Sequence, residues 1–425
     1  MQIEKLTIQN FRNIGPKTSF LFDPQFTVII GINGKGKSTL LHALRIACGT
    51  YLLAITEVPK RHIDPDEIRL ERFGTHSSPQ TPVIVEAEGY FPEYPDKVVW
   101  RRQIPEGKSR TTSNEEDVGR VRNIGREKYL EVTRKGNDTL ALPVIAFFGT
   151  SRAHGAGRNR GTRVVRQIFK EGYHNWEEMK SSTYQYDSWL SSFDALLLDK
   201  KEDPQVREGF YAALKRANPY IEDVQFVGGE LWLRVKIEEY TSDFLPLHLH
   251  SDGVIMLTEM VAELAYRCSI LNGYLGARAV EETRGVVLID ELDLHLHPNW
   301  QRHVVQDLKN AFPRIQFMAT THSPFIVQSL NSNELINLDL GTDVSPKELS
   351  LEVVAEEVMN VKSPFSDENA AKEQLSMDYF QLLEEAVNSP DKAAYIDRLE
   401  TFENAIDDAG LRAFLKSTRI AKNIL

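Results

Sequence analysis

The segment GINGKGKST at residues 31–39 constrains the fold more than any other part of the chain, because it matches the GxxxxGK[ST] pattern. It follows TVII, a run typical of a buried strand, and precedes Leu40, Leu41 and Leu44 at helical spacing. A strand–loop–helix unit of this kind points backbone N–H groups and the positive end of a helix at phosphate oxygens. A glycine-rich turn that merely caps a helix is the alternative.

The same segment predicts which residues hold a nucleotide and its metal. We expect Lys37 to contact the β- and γ-phosphates and the Ser38 hydroxyl to hold Mg²⁺. ATP and Mg²⁺ are therefore the expected cofactors. The predicted phosphate-binding residues of the motif are Gly34, Gly36, Lys37, Ser38 and Thr39.

Two carboxylates and a histidine follow later strands in the order that nucleotide hydrolysis requires. VVLIDE at 286–291 ends an apolar run with Asp290, expected to bind Mg²⁺ through water, and Glu291, expected to act as general base. The next strand pattern, FMATTHS, ends in His322, which could hydrogen-bond the γ-phosphate. We predict Glu291 and His322 as the catalytic residues.

The rest of the pattern predicts an α/β fold with a P-loop sheet core, antiparallel N-terminal strands, a helical and hairpin insertion, and a helical C-terminal tail. Hairpins are expected near 82–105 and at VQFVGGELWLRVKI, and a helix from Gly253 to Leu271. The polar run EGKSRTTSNEEDVGR, residues 106–120, is expected to be a loop. The predicted domains are 1–340, with the insertion at about 74–217, and 341–425.

Charge and cysteine content narrow the class of protein. The net charge of −11 argues against a protein that coats nucleic acid nonspecifically. Cys48 and Cys268 lie in apolar stretches, as expected for buried free thiols. With no membrane-length apolar run or secretory leader, a cytoplasmic protein without membrane contact is expected. Residues 152–170 are basic, and either contact DNA or form a solvated loop or further ATP contacts.

These motifs together resemble the ABC-type ATPases of the RecF, SMC and OLD group over most of residues 1–340. The resemblance implies that Arg12, in QNFRNI, contacts the nucleotide and that Asn33 approaches the γ-phosphate. It also implies that DLHLHP at 293–298 is a D-loop, a segment that crosses to a partner subunit.

HSDG at 250–253 resembles the LSxG signature of that group. The resemblance implies a head-to-tail homodimer in which Ser251, Asp252 and Gly253 meet the γ-phosphate held by the other subunit. His250 replaces the usual leucine, and Val254–Ile255 replace residues that are often polar. The HxH pairs His248/His250 and His295/His297 have metal ligation as an alternative reading.

Within the group, the chain is similar to the compact ATPases of the Septu anti-phage systems, the PtuA family, on LPVIAFFGTSR, SDG and the segment from VLIDELDLHLHP to FMATTHSP. No SMC-type heptad arm and no Toprim-type nuclease site is evident, so the chain is expected not to cut DNA alone. The resemblance implies a partner HNH nuclease. The C-terminal helices would serve oligomerisation or partner docking, or form only a solvated cap.

The sequence therefore predicts an oligomeric defence ATPase, with slow turnover, that regulates a separate nuclease. Two alternatives remain open. One is a RecF-like repair ATPase that acts as an ATP-gated DNA clamp. The other is a nucleotide-locked scaffold with little turnover.

Overall fold

The computed structural model describes residues 1–74, 76–153, 168–180, 184–198, 203–237, 239–339, 345–361, 367–389, 392–406, 408–422 and 424. Contacts divide the chain into two compact units, Met1–Val354 and Ala355–Leu425. The boundary between the two domains predicted from the sequence lies at residue 340.

Fifteen strands lie in the described part of the chain: β1 Gln2–Gln9, β2 Thr18–Leu21, β3 Phe26–Ile30, β4 Leu70–Phe73, β5 His76–Pro79, β6 Val83–Tyr90, β7 Val98–Ile104, β8 Val144–Phe148, β9 Ile221–Val227, β10 Glu230–Ile237, β11 Tyr240–Thr241, β12 Leu245–Pro246, β13 Gly285–Ile289, β14 Ile315–Thr320 and β15 Leu335–Asn337. The α-helices described there are α1 Lys37–Gly49, α2 Glu115–Lys135, α3 Ile168–Gly172, α4 Tyr186–Leu198, α5 Pro204–Ala217, α6 Asp252–Asn272, α7 Ala279–Glu282, α8 Pro298–Gln301, α9 Val304–Ala311, α10 Pro324–Gln328, α11 Leu351–Val353, α12 Asp367–Asn388, α13 Ala393–Ala405 and α14 Ala409–Ala421.

The core of the first unit is a five-stranded parallel sheet in the order β15-β3-β14-β13-β8. Every residue of β3, β8, β13 and β14 is buried, as the continuous apolar runs predict for strands covered on both faces. Because the strands are parallel, their carboxyl ends lie along one edge. The P-loop, the Asp290–Glu291 pair and His322 all leave the sheet there.

A second sheet, antiparallel and in the order β2-β1-β6-β7, carries the N-terminal strands. Trp100 of β7 donates its indole N–H to the carbonyl of Ala47 in α1 at 2.9 Å, which ties this sheet to the P-loop helix. The segment 74–217 supplies β6 and β7 to this sheet and β8 to the core sheet. The segment predicted as an insertion therefore includes strands of both main sheets, with β7 and β8 at their edges. The predicted fold class is confirmed by this combination of sheets.

The prediction of a loop throughout residues 106–120 is wrong, because α2 begins at Glu115. Its first turn contains Glu115, Glu116 and Asp117, and negative charge is favourable at a helix N-terminus. Val118 and Val121 are buried at helical spacing. The polar composition of the run concealed this start.

The second unit consists of helices around a small core. Its buried side chains include Tyr379, Leu383, Leu399 and Leu415. Tyr379 donates its hydroxyl to Glu403 at 2.5 Å, and Arg419 donates Nε to the same carboxylate at 2.7 Å. In the part of the chain that the structure describes, no helix is both long and apolar enough to cross a membrane.

Candidate nucleotide-binding site

The carboxyl edge of the core sheet opens into a cleft of about 520 Å³. Ten predicted site residues line it: Arg12, Asn33, Gly34, Gly36, Lys37, Ser38, Thr39, Asp290, Glu291 and His322. Asn13, Asp66 and Thr320 also line the cleft and were not predicted. Residues far apart in sequence thus share one cavity, as the strand order requires.

The P-loop has the backbone conformation that its glycines permit. Gly34 and Gly36 have φ angles of 86° and 110°, which L-residues with side chains rarely adopt. Lys37 donates its ammonium to the Gly31 carbonyl at 2.6 Å. Burial lowers the pKa of Lys37, and this is opposed by nearby carboxylates, Asp339 first. A phosphate could replace the carbonyl as the partner of this cation and form a stronger, charge-assisted bond.

Two residues outside the motif hold the P-loop in place. Asn13 donates its side-chain amide to the Gly34 carbonyl at 2.7 Å, and its oxygen accepts from the Thr39 hydroxyl at 2.7 Å. Asp339 accepts from the Ile32 N–H at 2.6 Å. Asn13 stands beside Arg12 in QNFRNI, so this signal was present in the sequence. Asp339 follows β15 without any comparable motif.

Thr320, the last residue of β14, orients the carboxylate pair. Its hydroxyl donates to Asp290 Oδ1 at 2.5 Å and accepts from the Glu291 N–H at 2.8 Å. Glu291 has a φ of 53°, so the chain turns sharply directly after β13. The Ser38 hydroxyl and the Asp290 carboxylate are the hard oxygen donors that Mg²⁺ prefers. Their shared position in the cleft fits that ion.

Arg152 stabilises the Asp290–Glu291 turn through hydrogen bonds to its backbone carbonyls. It is 6% exposed and donates to the carbonyls of Asp290 and Glu291, the latter at 2.6 Å. Burial lowers its pKa, although Tyr184 and Asp290 act in the opposite direction. The interpretation of Arg152 as part of a DNA-contacting or solvated run is therefore wrong. Residues 154–167 of that run lie outside the described residues.

Arg12 reaches the cleft from the loop after β1. Its backbone N–H donates to the Glu67 carbonyl at 2.7 Å, and its Nε lies 3.5 Å from Glu67 Oε1. Its φ of 52° is in the left-handed region. These contacts fix the loop, while the guanidinium remains partly exposed at the cleft.

His322 follows β14 and is linked to the predicted D-loop segment. Its backbone N–H donates to Asp293 Oδ1 at 3.2 Å, and the neighbouring Thr321 hydroxyl donates to the same oxygen at 2.5 Å. Asp293 therefore fixes the backbone that presents the imidazole to the cleft.

The predicted signature residues do not line this cleft. Ser251 is exposed at the N-cap of α6 and makes no side-chain capping hydrogen bond, and Asp252 is also exposed. Gly253 is buried, and a Cβ added there would lie 2.6 Å from the His295 carbonyl. Only glycine fits this close approach between the signature segment and residues 293–298.

Three of the four histidines in the HxH pairs have other partners. His248 Nδ1 lies 2.8 Å from Glu230 Oε2, and His250 Nε2 lies 3.4 Å from the Leu245 carbonyl. His297 Nδ1 accepts from the Asn299 N–H at 3.3 Å. Within the described ranges, no group of three or more His, Cys, Asp or Glu side chains is arranged to hold a metal ion.

A P-loop, an Asp–Glu pair and a strand-end histidine on one parallel sheet define a P-loop ATPase of the ABC type. Residues 26–328 match the family model described as "AAA domain, putative AbiEii toxin, Type IV TA system". The chain belongs to this family.

Two curated relatives place it further. The Retron Vc95 probable ATPase of Vibrio cholerae serotype O1 biovar El Tor is 25% identical over 79% of this chain and 73% of its own length. Septu protein PtuA of Bacillus thuringiensis is 33% identical over 36% of this chain and 35% of its own length. These relatives confirm the resemblance predicted from the motifs. An SMC head domain from Thermotoga maritima aligns at 16% identity with a TM-score of 0.45, over 79% of this chain and 94% of that one, a level that supports no inference.

Proposed function

We propose that the chain binds and hydrolyses ATP in a head-to-tail dimer, and that this cycle regulates a partner nuclease in bacterial anti-phage defence. The observation that carries the proposal is the single cleft that joins Lys37, Ser38, Asp290, Glu291 and His322. The cation Lys37 suits the phosphates of a nucleoside triphosphate, and the carboxylates Asp290 and Glu291 suit Mg²⁺ and the attacking water.

In the proposed reaction Lys37 and the P-loop N–H groups bind the phosphates, and Glu291 accepts a proton from the attacking water. Ser38 and Asp290 would hold Mg²⁺, which neutralises phosphate charge when bound. Thr320 positions both carboxylates through its two hydrogen bonds. His322 donates to an oxygen of the γ-phosphate, and negative charge develops on the β-phosphate as its bond to the γ-phosphorus breaks.

The dimer is proposed because Ser251 and Gly253 begin a 21-residue helix outside the cleft of their own chain. A helix N-terminus with an exposed hydroxyl suits an anion. Residues 251–253 of a second copy would then complete the γ-phosphate environment.

Replacing Glu291 with Gln tests the hydrolase directly, since the amide keeps the shape but cannot take the proton. We expect ATP turnover to fall at least about 100-fold, the usual scale for losing a general base. ATP should then hold the dimer together. Phosphate release and molecular mass with and without ATP are the measurements, and Glu208→Gln, an exposed change on α5, is the control. Undiminished turnover in Glu291→Gln would instead favour the nucleotide-locked scaffold.

The defence role is supported by the retron ATPase and Septu PtuA relatives. The proposed partner is an HNH nuclease, and the helices of Ala355–Leu425 are proposed to serve oligomerisation or its docking. Phage plating on cells carrying the native operon tests this role, with Glu291→Gln expected to lose protection. ATP-dependent, salt-sensitive DNA binding by the chain alone, without effect on phage, would favour the repair clamp.

A further inference from the structure

A second cavity of about 570 Å³ lies beside α1, and it shares no lining residue with the nucleotide cleft. Its walls include Arg45 of α1, the segment Lys60–Arg61–His62, and the stretch around Glu177. No motif identifies this cavity, and the proposed ATPase cycle does not use it.

Arg45 is the central cation of this cavity. It is 9% exposed, and its guanidinium lies over the Phe147 ring at 4.8 Å from the centroid. Nη1 donates to the Glu177 carbonyl at 2.8 Å, whereas Nε has no hydrogen-bond partner. Buried guanidinium groups are ordinarily satisfied by an anion, so the free Nε marks an incomplete environment.

Lys60 in the cavity wall, and Arg102, which contacts the wall residue His62 from outside the lining, are held without a carboxylate. Arg102 is fully buried behind His62 and contacts the Arg61 carbonyl and the His62 ring nitrogen, with its own Nε unpartnered. Lys60 donates to the carbonyls of Leu52 and Ile55. In the part of the chain that the structure describes, Arg45, Arg102 and Lys60 make no ion pair.

Four cations line the cavity together with three carboxylates: Arg45, Lys60, Arg61 and Lys180 with Asp64, Glu177 and Glu178. Asp64 and Glu67 both pair with Arg61. Glu178 accepts from the Ser151 hydroxyl at 3.0 Å and lies 3.9 Å from the Lys180 ammonium. Burial, followed by the charge of Arg61, lowers the pKa of Arg45 to about 10, and Glu177 opposes this. Arg45 therefore keeps its charge at neutral pH, and the cavity has a surplus of positive charge.

We propose that this cavity binds a small phosphate-bearing anion, of the size of a triphosphate or nucleotide. Guanidinium and ammonium groups converging in a partly buried space are the usual means of binding phosphate. The volume falls in the range of small-molecule sites, which is about 300–1,000 Å³. The ligand would supply the negative charge that Arg45 and Lys60 lack in the cavity wall.

One carboxylate connects this cavity with the nucleotide cleft. Glu67 is 4% exposed; its Oε1 accepts from Arg61 of the second cavity and lies 3.5 Å from Nε of Arg12 in the first. An anion that draws Arg61 towards itself leaves Glu67 more available to Arg12. The site is therefore placed to influence nucleotide binding.

The test uses the full chain with Lys37→Ala, so that phosphate binding at the P-loop is removed. Inorganic triphosphate is titrated in EDTA and its binding is followed by calorimetry. We expect one site per chain, weakened at least tenfold by adding Arg45→Gln or Lys60→Gln. Arg120→Gln, an exposed change on α2, is the matched control and should leave binding unchanged. Thermal unfolding verifies that each variant is folded. If Arg45→Gln does not fold, the binding measured for Lys60→Gln tests the proposal instead.

Absence of triphosphate binding to the Lys37→Ala chain would overturn the proposal. Equal binding in Arg45→Gln and Lys60→Gln would overturn it too, because the ligand would then lie elsewhere. If a single-stranded oligonucleotide binds where triphosphate does not, and the same variants weaken its binding, the ligand of the cavity would be a nucleic acid and the proposal of a small ligand would be wrong. Because Lys37→Ala is present throughout, none of these results depends on ATP hydrolysis.

Discussion

The N-termini of α1 and α6 are chemically alike but have different surroundings. Neither helix has a side-chain capping hydrogen bond, so both leave backbone N–H groups available to an anion. The first turn of α1 lies in a cleft lined by Asp290, Glu291 and His322 of the same chain. The N-terminus of α6 begins with the exposed residues Ser251 and Asp252, which lie outside the cleft.

The difference indicates that the two helix termini have separate roles, one in binding the nucleotide within a chain and one in completing the site of a partner chain. Lys37, Ser38 and Asp290, which are expected to contact Mg²⁺ and the phosphates, already line one cleft, where hydrogen bonds hold Lys37 and Asp290. The α6 terminus contributes only a hydroxyl and free N–H groups, which become useful when an anion is brought to them. We therefore expect binding to depend on α1 and turnover to depend on both termini.

Lys37→Ala should produce the largest effect, because it removes the cation of the α1 terminus. Losing two charge-assisted contacts of about 1.5–3 kcal/mol each should weaken ATP binding by about 100-fold or more. Equilibrium binding of a fluorescent ATP analogue measures this. Lys17→Ala is the matched control, since Lys17 is exposed and does not line the cleft. ATP binding retained by Lys37→Ala would refute the assignment of the cleft.

Ser251→Glu tests the α6 terminus, and its effect should appear in turnover only. A carboxylate brought against the partner's γ-phosphate would repel it, and we expect turnover to fall about 100-fold, as for loss of an oxyanion donor. ATP affinity should remain that of the unaltered chain, because Ser251 does not line the cleft of its own chain. Parallel measurements of phosphate release and ATP binding separate the two effects.

Ser332→Glu introduces the same charge at an exposed serine that does not line the cleft, and should change neither quantity. Equal loss of ATP binding and turnover in Ser251→Glu would contradict the proposal that α6 contributes to turnover and not to ATP binding.

The residues around the N-terminus of α1 could be predicted from the sequence because the patterns that identify them are local. The P-loop pattern fixes a loop conformation over nine residues, and apolar runs identify the buried strands. Once β3, β13 and β14 are parallel neighbours, their ends must meet, so Lys37, Asp290 and His322 follow from order alone.

The supporting residues could not be found in this way, because their partners are distant in sequence. Thr320 reads as one more strand residue until β14 lies beside β13 and brings it to Asp290. Arg152 reads as the first member of a basic run, although its guanidinium is buried under the Asp290–Glu291 turn. Such roles depend on tertiary contacts that no spacing encodes. The role of Ser251 depends on a second chain and remains a prediction.

Thr320→Val should have the smallest effect, and it asks whether the carboxylate pair needs its hydrogen-bonded support. Valine keeps the shape but loses the bonds to Asp290 and the Glu291 N–H, which should cost about 1–2 kcal/mol of folding free energy. Turnover should fall roughly tenfold as the pair loses its orientation. Thr27→Val is the matched control, because Thr27 is also buried in the core sheet and its hydroxyl accepts from the Asp23 N–H at 2.9 Å, away from the carboxylate pair. Urea unfolding should show both variants destabilised, while phosphate release falls in Thr320→Val alone; equal turnover in the two would mean that the pair is oriented without Thr320.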